Sequence, residues 1–204
     1  MTSEAAIISI RGPSEVAGSG PAGELVERAR DGDAGAFERL LRIHERRVLS
    51  TAWRLLGRLE DAEDAAQEVF LRLYRYLDRF DPRRALEPWL YRMTVNVCRD
   101  LGRRQRPRPV SLEESPEIGR MAATEPDPAA RATLAEERRI AEEALRTLAE
   151  KERAALVLRD VEGLSTREVA GILGSSELTV RSQISRARVK IHKYRRKKFA
   201  RSVP

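Results

Sequence analysis

From Leu178 to Pro204 the sequence carries ten basic residues, Arg181, Arg186, Arg188, Lys190, Lys193, Arg195, Arg196, Lys197, Lys198 and Arg201, and no acidic one. A solvated helix face normally mixes both signs, so a one-signed run of this kind suits a polyanionic partner. Just upstream, Ser165 is followed three residues later by Glu168, the pattern of a reciprocal cap at a helix start. The pattern then runs through Val169, Ala170, Ile172 and Leu173, breaks at Gly174, and restarts after Ser176, which can cap a second helix from Glu177. Ala170 is small where two such helices would cross, Gly174 can take a left-handed turn conformation, and Val180 can fill the core beneath. Ser175 and Gln183 occupy positions that are often apolar in this arrangement, so Ile184 is expected to supply the packing one residue later. An ordinary helical hairpin would explain the turn, but not the charge run. In a helix-turn-helix the second helix lies in the major groove with its first turns at base edges and later Lys and Arg at phosphates. Arg181, Ser182, Ser185 and Arg186 are therefore the residues expected to face bases.

The inventory for catalysis is thin. His44 and His192 are the only histidines, and neither stands in a metal or triad spacing. Cys98, the only cysteine, excludes an internal disulfide and any clustered-thiolate site. It falls within an apolar helical stripe, where a buried thiol is the expectation. There is no phosphate-cradling glycine loop. The expectation is a protein that is not an enzyme and uses no metal or other cofactor.

These residues need elements to carry them, and the composition points to helices. Of 204 residues, 41% are hydrophobic but only 5% aromatic, while 35% are charged. Thin helical bundles suit that balance better than a sandwich or barrel. The net charge of +7 agrees with a polyanionic partner. No apolar run approaches the ~20 residues that a membrane helix needs. The opening stretch also lacks the pattern of a signal peptide, so a cytoplasmic protein is expected. Residues 1–22 show no sustained period and read as a disordered N-terminal tail. Helical stripes follow: Phe37, Leu40, Leu41, His44 and Val48; then Ala66, Val69, Phe70, Leu73, Leu77 and Phe80; then Trp89, Leu90, Met93 and Val97 behind Pro88. They define a first helical domain over 23–106. Pro107, Pro109, Pro116, Pro126 and Pro128 mark a linker over 107–130. A second helical domain over 131–196 carries Ile140, Leu145, Leu148, Ala154, Val157, Leu158 and Val161 before a break at Gly163-Leu164, and a basic tail over 197–204 closes the chain. The fold class expected is all-α, with two small helical domains joined by a flexible linker.

The residues also carry a resemblance. The run Glu152-Arg153-Ala154-Ala155-Leu156-Val157-Leu158-Arg159-Asp160-Val161-Glu162-Gly163-Leu164-Ser165, with Glu168-Val169-Ala170, Thr179-Val180-Arg181-Ser182 and Ser185-Arg186-Ala187-Arg188, resembles region 4 of the extracytoplasmic-function (ECF) group of bacterial sigma-70 factors. Asp61-Ala62-Glu63-Asp64-Ala65-Ala66-Gln67-Glu68-Val69-Phe70 and Trp89-Leu90-Tyr91-Arg92-Met93, with Asn96 and Asp100, resemble region 2 of the same group. The likeness covers roughly 24–194, with no region 3 between. It departs at Leu148-Ala149, where Leu-Pro is usual, and at Ser175-Ser176.

The resemblance implies a sigma factor that joins core RNA polymerase at the largest-subunit clamp helices and the flap, binds promoter DNA, and is held in check by an anti-sigma factor. It implies docking through Asp61, Glu63, Asp64, Gln67 and Glu68. It implies capture of the melted minus-ten element by Asp81, Arg83, Arg84, Leu86, Asn96, Arg99 and Arg103. An unpaired base offers both an edge and a stacking face to such a loop. For the minus-35 element it adds Arg159 and Arg188 to the four residues above. Trp89 is expected in the core rather than as a stacking platform. A stand-alone helix-turn-helix regulator would account for the C-terminal half alone, but not for the N-terminal likeness.

Overall fold

The computed structural model describes residues 21–81, 84–104 and 128–199. Residues 1–20, 82–83, 105–127 and 200–204 lie outside the described residues, Arg83 among them, so most of the expected tail and linker go undescribed, while the last two residues of the tail expected over 1–22 begin the first helix. Every described element is helical, and the helices fall into two units, described separately.

The first unit holds α1 (Pro21–Arg30), α2 (Ala34–Leu56), α3 (Leu59–Tyr76) and α4 (Leu86–Arg104), with a 3-10 turn over Leu77–Arg79. Pro21 opens α1, where its missing N–H costs nothing. Asp33 caps α2 by accepting from the Ala36 N–H at 3.0 Å. That bond, together with the Arg28 guanidinium at 3.0 Å, holds its carboxyl below the usual range. Gly57 ends α2 at φ 81°, a left-handed conformation open to a residue without Cβ, and its N–H returns to the Trp53 carbonyl at 2.7 Å. The apolar stripes meet in one core that includes Leu40, Val48, Trp53, Val69, Leu73, Leu77, Phe80, Leu86, Leu90 and Val97. Leu40 and Leu73 are wholly buried, each stabilising the unit by about 1.5–3 kcal/mol. Thr94, also wholly buried, disposes of its hydroxyl by donating to the Leu90 carbonyl at 2.8 Å.

The second unit holds α5 (Pro128–Arg146), α6 (Glu150–Leu156), a π-helical turn over Val157–Val161, α7 (Thr166–Leu173) and α8 (Glu177–Phe199). The helix begins at Pro128, three residues before the start expected from the apolar pattern. Ser165 accepts from the Glu168 N–H at 3.2 Å while Glu168 accepts from the Ser165 N–H at 2.7 Å, so both halves of the expected cap form. Gly174 stands at φ 62° with its N–H on the Ala170 carbonyl, and Ser176 accepts from the Thr179 N–H at 3.2 Å. The turn between α7 and α8 is thus built by the residues that announced it. Val180, Ile184, Ala187 and Ile191 seat α8 on the core. Gln183 is buried beside Ile184 rather than replaced by it.

Candidate nucleic-acid interface

Because α8 buries Val180, Ile184, Ala187 and Ile191, the helical period turns Arg181, Ser182, Ser185 and Arg186 away from the core. All four are exposed. Arg181 is held lightly, by Glu177 one turn back at 3.0 Å. Leu178 and Val189 lie on the same open face, 75% and 67% exposed. They are apolar residues that sequence reasoning did not single out, because an isolated Leu or Val in a helix reads as core. Arg159 sits half-buried on the π turn.

Arg188 differs from the other expected contacts. Its guanidinium grips Asp160 with two parallel bonds, at 2.7 and 2.9 Å. Lys190 donates to Glu152 at 2.7 Å, with Arg186 3.8 Å from the same carboxylate. Lys190 foremost keeps the Glu152 carboxyl below the usual range. Lys198 and Tyr194 both reach Glu143, at 2.6 and 2.8 Å. These acids come from α5, α6 and the π turn, so part of the basic run is engaged within its own unit.

In the first unit the segment before α4 starts with Phe80, whose ring stacks on Trp89 at 5.0 Å between centroids. Trp89 is half-buried against the core. The stack ties the start of the segment to α4 and leaves Asp81 half-buried beside Arg84, at 3.7 Å. The Arg84 N–H closes the turn on the Asp81 carbonyl at 3.0 Å. Leu86 is relocated: at 4% exposed it belongs to the core and anchors the segment instead of facing outward. Asn96 and Arg103 are exposed along α4 with Arg99 half-buried between them, spaced three and four residues apart on one stripe.

On α3, Glu63, Asp64 and Gln67 are exposed, and Glu68 is half-buried with Arg72 at 2.7 Å. Asp61 also departs from the expected face. It is 9% exposed and paired to Arg58 at 3.7 Å, so it braces the start of α3. Among the described residues no group of His, Cys, Asp and Glu could hold a metal ion, and no helix is long and apolar enough to cross a membrane. The Cys98 thiol is pushed up to about 12 by burial, and burial lowers His44 as well.

Residues 40–108 match Sigma-70 region 2, and residues 138–191 match Sigma-70 region 4. The chain is 37% identical over 163 residues to the ECF RNA polymerase sigma factor SigE of Mycolicibacterium smegmatis, covering 78% of this chain and 61% of that protein. It is 34% identical over 176 residues to the RNA polymerase sigma-H factor of Pseudomonas aeruginosa, covering 83% of this chain and 91% of that one. Among solved structures, CnrH in complex with the cytosolic domain of CnrY is 31% identical with a TM-score of 0.60, over 84% of this chain and 95% of CnrH. The two regions in this order, carried on two helical units, identify the chain as a member of the ECF sigma factors of the sigma-70 family, which direct promoter-specific transcription initiation by RNA polymerase.

Proposed function

We propose that this sigma factor divides promoter reading between its two units. The helix-turn-helix reads the minus-35 element, with Arg181, Ser182, Ser185 and Arg186 at base edges and Arg159 at the flanking backbone. The observation that carries the reading is the open face of α8: four exposed side chains able to donate hydrogen bonds, opposite a buried apolar seam and followed by a basic run. In the first unit, Asp81, Arg83 and Arg84 in the segment before α4, then Asn96, Arg99 and Arg103 along it, receive the melted minus-ten strand. Leu86 supports that segment from beneath. Glu63, Asp64, Gln67 and Glu68 dock on the clamp helices of the polymerase, and Asp61 orients the helix that carries them. The protein acts in the cytoplasm as a non-catalytic subunit. An anti-sigma factor is its further partner, a reading supported by CnrH having been solved with a second chain bound.

The test is footprinting of the holoenzyme on a promoter series mutated in the upstream element. Arg181→Ala or Arg186→Ala should lose about 1–3 kcal/mol at one or two positions of that element, with core binding retained. Equal loss on every sequence would make these residues phosphate contacts and would remove the base-reading assignment.

A further inference from the structure

Helix α8 rests on its unit through an apolar seam of Val180, Ile184, Ala187 and Ile191, with Gln183 buried beside it. Apolar burial is non-directional, so such a seam fixes that the helix stays down better than it fixes its roll. Reading base edges demands more, because side chains must be held within roughly 0.5 Å and 10–20° of productive geometry. The second unit contains a device that answers this demand.

Asp160 and Glu152 are the nearly buried partners in their ion pairs, with side chains 7% and 10% exposed, while Arg188 and Lys190 of α8 are 57% and 49% exposed. The acids are therefore fixed posts and the bases are what they hold. Arg188 and Lys190 are two residues apart, which turns them about 200° around the helix. They leave α8 on opposite flanks of the seam. The Arg188 pair is bidentate, at 2.7 and 2.9 Å, and so constrains orientation as well as distance. The pairs span 28 and 38 residues of sequence, so each joins α8 to a different element. Asp160 stands on the π turn, where the Glu162 N–H reaches the Val157 carbonyl at 3.0 Å.

We propose that Asp160 and Glu152 are positioning residues for promoter recognition: they grip α8 from both flanks, fix its roll, and keep Arg188 out of contact with DNA. The inference rests on the reading of α8 as the minus-35 helix. It assigns part of the basic run to geometry instead of to phosphate binding.

The test uses holoenzyme and two duplexes: one with an upstream element selected by the holoenzyme from a randomised pool, and one with that element scrambled. The readout is the ratio of the two affinities and its salt dependence. Asp160→Asn and Arg188→Gln should each lower the ratio about fivefold, with no further loss in the double variant, because both break one link. Asp160→Glu should recover most of the ratio. Asp160→Asn should also steepen the logarithmic salt dependence by about 0.9 as the released Arg188 finds a phosphate. Helicity and assembly with core polymerase are controls, and Arg188→Gln, which alters only an exposed partner, serves if Asp160→Asn folds poorly. An unchanged ratio in Arg188→Gln, with uniform weakening and a shallower salt dependence, would make Arg188 a phosphate contact and overturn the proposal. If the wild-type holoenzyme itself cannot distinguish the two duplexes, the reading of α8 fails first and the proposal falls with it.

Discussion

Gln183→Met should stabilise the second unit. Gln183 is 5% exposed on the core side of α8, and its Oε1 has no hydrogen-bond partner. A buried acceptor left unpaired costs about 1–3 kcal/mol. Methionine is unbranched and adapts to irregular gaps, so it can take the same space with little strain. The expected gain is about 1–3 kcal/mol, and each kcal/mol raises the midpoint by about 4–8 °C in a unit of this size. The protein contains its own control, since both tryptophans, Trp53 and Trp89, lie in the first unit. Tryptophan fluorescence should melt as in the wild type, while the part of the helical circular dichroism signal that belongs to the second unit moves upward. Promoter discrimination should be unaffected, because Gln183 points away from the face of Arg181 and Ser185. An unchanged or lowered midpoint would mean that the amide is satisfied where it lies, and would refute the reasoning.

Other outcomes follow from the same contacts. Glu63→Lys with Asp64→Lys should abolish assembly with core polymerase in a native binding assay, since like charge in an interface costs several kcal/mol. Melting should shift little, as for other surface changes within about 0.5 kcal/mol. Ser165→Ala removes the acceptor for the Glu168 N–H and should cost about 1 kcal/mol in denaturant unfolding of the second unit. Burial holds His44 below its ordinary value of 6.5, against the opposing charge of Glu87 and with that of Arg47. Above that value both folded and unfolded states are neutral there. Below it the unfolded chain binds the proton first, so stability of the first unit should fall as pH drops, by at most about 1.4 kcal/mol per unit. Melting between pH 7.5 and 5 would check this, and His44→Leu should flatten the curve.

What the sequence disclosed depended on whether a signal was local. The turn between α7 and α8 was fully legible because Ser165, Glu168, Gly174 and Ser176 each act within three or four residues of themselves. The apolar stripes of α2, α3 and α4 were legible for the same reason, since period alone declares which side is buried. Leu86 and Asp61 were harder. Both lie at helix starts, where one residue of phase decides between core and solvent, and the neighbours that bury them are distant in sequence. The π turn left no mark at all. The spacing of Val157, Leu158 and Val161 fits an ordinary helix, and nothing in it distinguishes the wider turn that forms there.

Charge was the most misleading guide in one respect. The basic run after Leu178 falls largely on one helix, α8, yet a run records composition and not engagement. Arg188, Lys190 and Lys198 are each answered by an acid more than twenty residues upstream, on α5, α6 or the π turn. No window short enough to define a helix could have paired them. The acids and bases look like separate features in sequence, a mixed-charge segment followed by a basic one. Folding pairs three of those bases with acids of their own unit, and the role proposed for Asp160 and Glu152 is to use two of those pairs to orient α8. The remaining exposed residues of its first turns are then few, and that favours specificity: phosphate contacts strengthen binding to every sequence, whereas a small set of firmly oriented side chains at base edges distinguishes one from another.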